Sequence, residues 1–438
     1  MTVTFVFYFI LTSELALIAY SLKTQLPHSK IRAMMHLLTG VLFAGLVWSS
    51  VIPWNFRWYG LAIFLALQAV GGLWTLVRSA KEEGSASKMN ILLRSTISLL
   101  LTFCAISPAL IFPTYRPLTP TGNYIVATAR YTYTDEHRME QFAANGLPRK
   151  VNCSCWYPEN TPRGATFPLI IFSHGGLGLE TSNESLFLEL ASHGYVICSI
   201  GHPFHAFWTK STDGHTTFVS MAYFNELQRE DARRDPQQSF RLYQRWLATR
   251  TGDINLVLDT ILQNAAEGIE GIYHLVDTTR IGMMGHSLGG SAALAMPRQR
   301  EDIDAVLALE SPFLFDILAV KNDSFIFSGQ PYPVPVLNIY SDGAWDHLSE
   351  WPQYEKNFAL LSDTPQTAYN LHLAGAGHFS LTDLALASPL LVRMLEGKQP
   401  ERSSVEYLKE LNRVSLEFFN RYLKDLQPAS PIAFNACP

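Results

Sequence analysis

The chain has 438 residues, 48% of them hydrophobic and 16% charged, with a formal net charge of -5 at pH 7. That length accommodates a membrane region plus one large domain, or two ordinary domains. The negative balance argues against nucleic acid as a partner, because a nucleic-acid binder presents a basic stripe to the phosphates.

The hydrophobic residues crowd into the first quarter, in runs from Phe5 to Leu22, Ala33 to Ile52, Trp58 to Val77 and Ile91 to Phe112. Each is close to the ~20 residues that cross ~30 Å of hydrocarbon as a helix. Helices of a soluble core are amphipathic, whereas these are apolar all round, so four transmembrane helices are expected over residues 1–112. The first run lacks a basic flank and three more follow it, unlike a cleaved signal peptide. Lys23, Lys30 and Arg32 lie between the first two runs, and Arg78, Lys81, Lys88 and Arg94 around the connection from third to fourth. The other side carries Arg57 and Arg116. The basic loops should therefore be cytoplasmic, with the N-terminus and everything after Phe112 on the extracytoplasmic side of the cell membrane. Glu14 and His36, inside spans, are expected to be satisfied by neighbouring helices. Trp48, Trp54 and Trp58 fit an interfacial aromatic belt.

Residues 113–122, rich in proline and threonine, read as a linker into a domain over 123–425, with a tail over 426–438. Asn123 to Thr134 and Lys150 to Pro158 read as an antiparallel pair. Phe167 to Ser173 is a buried strand that runs into His174-Gly175-Gly176-Leu177-Gly178. Bare backbone N–H groups on such a loop can approach a substrate closely, which makes Gly176 a candidate oxyanion donor and His174 an orienting residue. A helix over Glu184 to Ser192 and a strand over Tyr195 to Ile200 follow. From His202 to Arg250 no clean period holds. The stretch is aromatic, with Phe204, Phe207, Trp208, Phe218, Tyr223 and Phe224, and then carries the mixed-charge run Arg229 to Asp235. It reads as a lid-like insert over about 203–250 or as a satellite core, the charges forming a solvated face and His202, His205 and His215 being ordinary loop histidines. Gly252 to Gln263 then has the period of an amphipathic helix.

Arg280-Ile-Gly-Met-Met-Gly-His-Ser-Leu-Gly-Gly290 has the form of a strand that delivers a serine onto a sharp turn opening a helix. The spacing Gly285-x-Ser287-x-Gly289 keeps small residues where side chains would collide. Ser287 is the candidate nucleophile, and Leu288, first on the helix, a candidate oxyanion donor. Further strands are expected over Ile303 to Leu309, with Glu310 at its end; over Pro333 to Tyr340, with Asp342 just beyond; and over Thr367 to Ala374, which leads into Gly375-Ala-Gly-His378. A capping box, Ser403 with Glu406, opens a closing helix that carries Val405, Leu408, Leu411, Phe418 and Tyr422 on its apolar face. Strands alternating with helices imply a mostly parallel sheet whose carboxyl edge collects functional groups.

A serine hydroxyl needs a base, and the base a carboxylate to hold it. His378 lies downstream of the serine and of both acids, in the chain order Ser, Asp/Glu, His of this architecture. Glu310 and Asp342 are alternative acids. Cys104 falls in the fourth span, and Cys153, Cys155, Cys198 and Cys437 in the domain that follows. Cys153 and Cys155 alternate on one strand face, too constrained to bridge each other. No His/Cys spacing matches a zinc site, so neither metal nor cofactor is expected.

Phe172-Ser-His-Gly-Gly176, Gly285-His-Ser-Leu-Gly-Gly290, Ala308-Leu-Glu-Ser311 and Gly377-His378 together resemble the platelet-activating factor acetylhydrolase family of α/β-hydrolases, relatives of bacterial lipases and dienelactone hydrolases. The resemblance covers Asn123 to Leu423. It implies the α/β-hydrolase fold, a metal-independent carboxylester or phospholipid acyl hydrolase, backbone donors at Gly176 and Leu288, and the acid at Glu310, where the family has aspartate. The four N-terminal spans lie outside that pattern. The expectation is a membrane-anchored serine hydrolase that cleaves lipid or lipophilic esters; a non-catalytic membrane sensor on the same fold and a serine acyltransferase are the alternatives.

Overall fold

The computed structural model describes residues 2–78, 87–143, 146–362, 367–397 and 400–426. Lys81, Cys437 and all of the expected tail beyond Leu426 lie outside them. The chain forms two compact units, Met1–Tyr115 with Ala387–Leu391, and Arg116–Leu386 with the segment from Val392 onward.

The first unit holds α1 (Thr2–Thr24), α2 (Ser29–Trp48), α3 (Phe56–Arg78) and α4 (Lys88–Ile111). All four are long and apolar enough to cross a membrane. Phe43, Trp58, Leu61, Leu65 and Ile106 pack at their core, while Val41, Leu67 and Val70 are exposed, a distribution suited to hydrocarbon on the outside. Gly72 lets α2 come close, since a Cβ there would sit 3.0 Å from the Ala33 carbonyl oxygen. Glu14 Oε1 lies 3.1 Å from His36 Nε2, each residue answering the other across α1 and α2. Trp48 and Trp54 face outward, but Trp58 is only 2% exposed. Its indole packs against Phe43, so it belongs to the bundle core and not to an aromatic belt.

In the second unit, β1 (Val126–Met139) and β2 (Pro148–Pro158) pair antiparallel, and β3 (Phe167–Ser173) and β4 (Val196–Ile200) pair parallel. A short hairpin, β5 (Trp208–Lys210) with β6 (Thr216–Phe218), precedes β7 (Val276–His286) and β8 (Ala305–Leu309). A second hairpin, β9 (Ile317–Lys321) with β10 (Ser324–Phe327), turns through Asn322 and Asp323, both at positive φ, as a two-residue hairpin loop requires. β11 (Val336–Tyr340) and β12 (Ala368–His372) complete one sheet of eight strands in the order β1-β2-β4-β3-β7-β8-β11-β12. It is parallel from β4 to β12, with an antiparallel edge formed by β1 and β2.

Both faces are covered, so the strands read as continuous apolar runs. In β3, Leu169 and Ile171 join the core on one face, and Ile170 and Phe172 the core on the other. The first face carries α7 (Pro236–Ala266) and α8 (Leu288–Ala295), and the second α5 (Glu184–Ser192) and α13 (Ser404–Leu423). The helices α6 (Met221–Arg229), α9 (Asp342–Trp345), α10 (Glu355–Ser362), α11 (Leu384–Ala387) and α12 (Pro389–Glu396) are shorter. The stretch expected as a linker is strapped down: the Leu118 N–H donates to Ser185 Oγ at 2.9 Å and the Thr121 N–H to Glu189 Oε2 at 2.8 Å, both on α5.

The expected helix from Gly252 is the second half of a much longer one. α7 starts at Pro236 behind the cap Asp235, whose carboxylate accepts from the Gln238 N–H at 2.8 Å. Its buried face runs Phe240, Tyr243, Trp246, Leu247, Arg250, Thr251, Asp253, Ile254, Val257 and Leu258. The helical spacing is regular, but three polar residues occupy core positions in mid-helix, and they interrupt the hydrophobic period.

α13 is held by the capping box of Ser403 and Glu406, with Ser403 N–H to Glu406 Oε2 at 2.9 Å, and buries Phe418 and Phe419 against the sheet. Phe419→Ala should cost about 3–5 kcal/mol through lost transfer energy and a residual cavity, whereas Ser403→Ala should cost about 1 kcal/mol. Unfolding midpoints of the two detergent-solubilised variants should fall in that order.

Candidate active site

β7 ends at His286, and the next residue, Ser287, turns the chain at φ 53° and ψ -127° before α8 begins at Leu288. An L-residue adopts positive φ only when its surroundings force it. The Ser287 N–H donates to the Leu309 carbonyl at 2.8 Å, which ties the turn to β8. The glycines answer to space: a Cβ on Gly285 would lie 2.5 Å from the Gly289 carbonyl carbon, and one on Gly289 would strike the Ser173 and His174 carbonyl oxygens. The Ser287 side chain is left half-buried and reachable. Leu288 stands in the first turn of α8, where backbone N–H groups lack helical acceptors.

His378 follows β12 and opens a 3-10 turn, His378–Leu381. Its Nδ1 donates to Glu310 Oε1 at 2.7 Å. Glu310 directly follows β8, is 4% exposed and sits at φ 47°. Its second oxygen accepts from the Ser341 N–H at 2.8 Å. Burial alone would raise the Glu310 pKa, but the adjacent His378 and the hydrogen bonds from His378 and Ser341 outweigh it and hold the carboxyl at about 2. For His378, burial pulls the pKa down, and the Glu310 carboxylate more than reverses this, leaving the imidazole above its ordinary value. Asp342, the other candidate acid, lies elsewhere. It accepts from His372 Nε2 at 2.8 Å and from the Gly375 N–H at 2.9 Å, and the His372 ring stacks on Trp345 with centroids 4.6 Å apart. Asp342 thus anchors the base of the loop that carries His378.

Two residues that sequence reasoning passed over also brace His378. His286, the variable residue of the serine motif, is buried with its ring 4.5 Å from that of His378, and its Nε2 donates to the His378 carbonyl at 3.2 Å. Burial, reinforced by the neighbouring imidazole, pushes the His286 pKa down to about 3, so it serves as a neutral prop. Glu396 on α12 accepts from the Phe379 N–H at 2.6 Å and fixes the start of the 3-10 turn. No periodicity or motif marks Glu396 in the sequence.

The glycine loop after β3 lies against the serine turn: a Cβ on Gly175 would be 3.4 Å from Ser287 Cβ and 2.9 Å from His286 Nδ1. Gly176 is flanked by α6, where a Cβ would meet Leu227 and the Tyr223 hydroxyl at 3.4 Å. Gly176, Ser287, Glu310 and His378 therefore follow β3, β7, β8 and β12, all at the carboxyl edge of parallel strands.

Behind the loop is a second acid–imidazole–hydroxyl series. Asp253 Oδ2 lies 3.0 Å from His202 Nδ1, and His202 Nε2 lies 2.8 Å from Ser173 Oγ. Arg149 donates to both Asp253 oxygens at 2.7 Å. Ser173, His202 and Asp253 are each at most 1% exposed, so no substrate reaches this hydroxyl. His202 and His205, expected as ordinary loop histidines, do stand on the loop after β4 but are fully buried in it; His215 is exposed. Strand pairing also brings together three buried thiols that the spacing did not reveal. Cys155 faces Cys198 across β2 and β4 with sulfurs 2.8 Å apart, and Cys153 Sγ is 3.7 Å from Cys155 Sγ. They belong to the apolar core on the α7 face.

A family model described as platelet-activating factor acetylhydrolase, isoform II, matches residues 114–429. A cutinase of Thermobifida alba is 26% identical over 61% of this chain and 69% of its own length. The platelet-activating factor acetylhydrolase of Canis lupus familiaris is 22% identical over 59% of this chain, which spans 58% of that protein. Among solved structures, the ferulic acid esterase of Streptomyces cinnamoneus superposes with a TM-score of 0.54 at 19% identity, covering 72% of this chain and 96% of that one, a likeness of fold. The match over residues 114–429, with a mostly parallel sheet between helical layers, means that the chain belongs to the platelet-activating factor acetylhydrolase, isoform II, family of carboxylic ester hydrolases, on the α/β-hydrolase fold.

Proposed function

We propose that the chain is a membrane-anchored serine hydrolase, catalytic over residues 123–425, that cleaves lipid or lipophilic carboxylic esters outside the cytoplasm. The observation that carries this reading is the 2.7 Å bond that His378 Nδ1 donates to Glu310 Oε1, on the strand edge that also bears the half-buried Ser287. With Nδ1 committed to the carboxylate, Nε2 of His378 is the nitrogen left to take the serine proton. Ser287 Oγ then attacks the ester carbonyl carbon, and the N–H groups of Gly176 and Leu288 bind the oxyanion that forms. Collapse of the intermediate expels the alcohol, protonated by His378, and leaves an acyl group on Ser287; water activated by the same imidazole releases the acid. Glu310 stays ionised throughout and stabilises the imidazolium. Glu310 is one methylene longer than the aspartate the family pattern has there; it sits at φ 47° and accepts the Ser341 N–H at 2.8 Å. The four apolar helices favour a substrate that partitions into or beside a bilayer, and the part of the aromatic insert that precedes α7, residues 203–235, would shape the acyl pocket as a lid, the remainder to Arg250 being the first half of α7 and packed in the core.

A fluorophosphonate probe should label the wild type and not Ser287→Ala, with ester hydrolysis lost in parallel; a folded wild type that takes no label would favour a non-catalytic sensor. Glu310→Gln should lower kcat by about 10³–10⁴-fold, whereas Asp342→Asn, which loosens only the loop, should stay within about tenfold. Single-turnover kinetics on the two variants tests the assignment.

The pH profile follows from the charges. His378 acts as a base only when neutral, and Glu310 raises its pKa, so kcat/KM should rise with pH through an inflection above 6.5. Removing the carboxylate in Glu310→Gln should move that acid limb to lower pH. Glu310 itself, held at about 2 against an ordinary 4.5, stabilises the fold fully above pH 4.5, and this contribution is lost as pH falls from there towards 2. Activity and unfolding midpoints measured between pH 3 and 9 check both statements.

A further inference from the structure

Arg250 lies on the core face of α7 and is 0% exposed. Arg149 and Arg138 meet Asp253 directly, but among the described residues Arg250 has no carboxylate at ion-pair distance. Its guanidinium is turned instead to the glycine loop. Nη1 donates to the His174 carbonyl and, at 3.3 Å, to Ser173 Oγ, while Nη2 donates to the Gly175 carbonyl at 3.1 Å. A buried cation held only by neutral acceptors is costly, so its placement calls for a reason.

Peptide geometry supplies one. Across a trans peptide the C=O and N–H point in opposite directions, and among the described residues no peptide is cis. Drawing the His174 and Gly175 carbonyls in towards Arg250 therefore turns the N–H groups of Gly175 and Gly176 outward from the core. Gly175 is the residue that abuts Ser287. The peptide between two glycines meets almost no steric barrier to flipping, and a flip would present a carbonyl oxygen where the site needs a donor. The Gly175 carbonyl also accepts from His174 Nδ1 at 2.7 Å and from the Gly178 N–H at 3.1 Å; among the described residues the planar fork of Arg250 is what spans both successive carbonyls, and it ties the two peptides into one orientation.

We propose that Arg250 is the positioning residue of the oxyanion hole, clamping the His174–Gly175 and Gly175–Gly176 peptides so that the Gly176 N–H faces the acyl carbonyl on Ser287. The proposal rests on the reading of Ser287 as nucleophile. The clamp acts from the buried side and touches no substrate, so its removal should weaken binding of the oxyanion and leave ground-state binding alone.

The test uses the full-length chain in detergent, with Arg250→Lys, Arg250→Met and Ser287→Ala beside the wild type, a short-chain p-nitrophenyl ester as substrate and a trifluoromethyl ketone as oxyanion-forming inhibitor. In Arg250→Lys the single ammonium keeps the charge but cannot hold both carbonyls; kcat should fall about 10²-fold with KM nearly unchanged. Ketone affinity should fall by a similar factor at an unchanged unfolding midpoint, and Arg250→Met should lose at least as much activity. A Ser287-dependent wild type whose Arg250→Lys variant keeps kcat and ketone affinity overturns the clamp. So does a loss that appears in KM alone, or one that follows the unfolding midpoint. A wild type whose hydrolysis is untouched by Ser287→Ala overturns the reading of the site itself, and the clamp with it.

Discussion

The turn at Ser287 is too tight for side chains, and the rest of the site is built around that restriction. A backbone at φ 53° between a strand and a helix is tolerable only because Gly285, Gly289 and Gly290 let neighbouring main chain close in. In exchange, the hydroxyl is lifted off the end of β7, the first free N–H groups of α8 are brought beside it, and the glycine loop after β3 can lie against it. Glu310, at the end of the next strand, also has positive φ, so the same sheet edge bears strain at two of its candidate groups.

The electrostatics divide the carboxylates by task. Glu310 and Asp342 each accept from a histidine, yet only Glu310 is buried beside the serine turn, and its environment keeps it ionised. Asp342 holds His372 and the Gly375 N–H, and so steadies the loop on which His378 is mounted. Asp253, wholly enclosed, gathers Arg149, Arg138 and His202 into a polar core beneath the glycine loop. A buried network of this kind is worth its desolvation only when nearly every member is satisfied, and here its outer edge consists of the Ser173 hydroxyl and the two carbonyls that Arg250 binds.

Legibility in the sequence followed the strength of local signals. β3 and α5 are found at the residues where the apolar run and the helical period put them, because both lie in an almost wholly buried, uninterrupted environment. The four apolar helices were equally plain. The first half of α7 was not, since Arg250, Thr251 and Asp253 stand on its buried face and break the apolar spacing there. Trp58, the first residue of an apolar run, looks interfacial by position and is in fact packed inside the bundle.

By itself, the sequence determined the fold class, the four apolar helices and most strands of the central sheet, and it named a small set of candidate residues for acyl chemistry, because each of these is written in periods and spacings of a few residues; the hairpins β5–β6 and β9–β10 and the helix α6 left no such mark. Only the tertiary structure decided which carboxylate meets His378, that His286 and Glu396 brace it, and that a guanidinium from the middle of α7 reaches the glycine loop. Those contacts join residues 17 to 92 positions apart, and partners so distant are selected by strand order and helix packing, which leave no local trace in the chain.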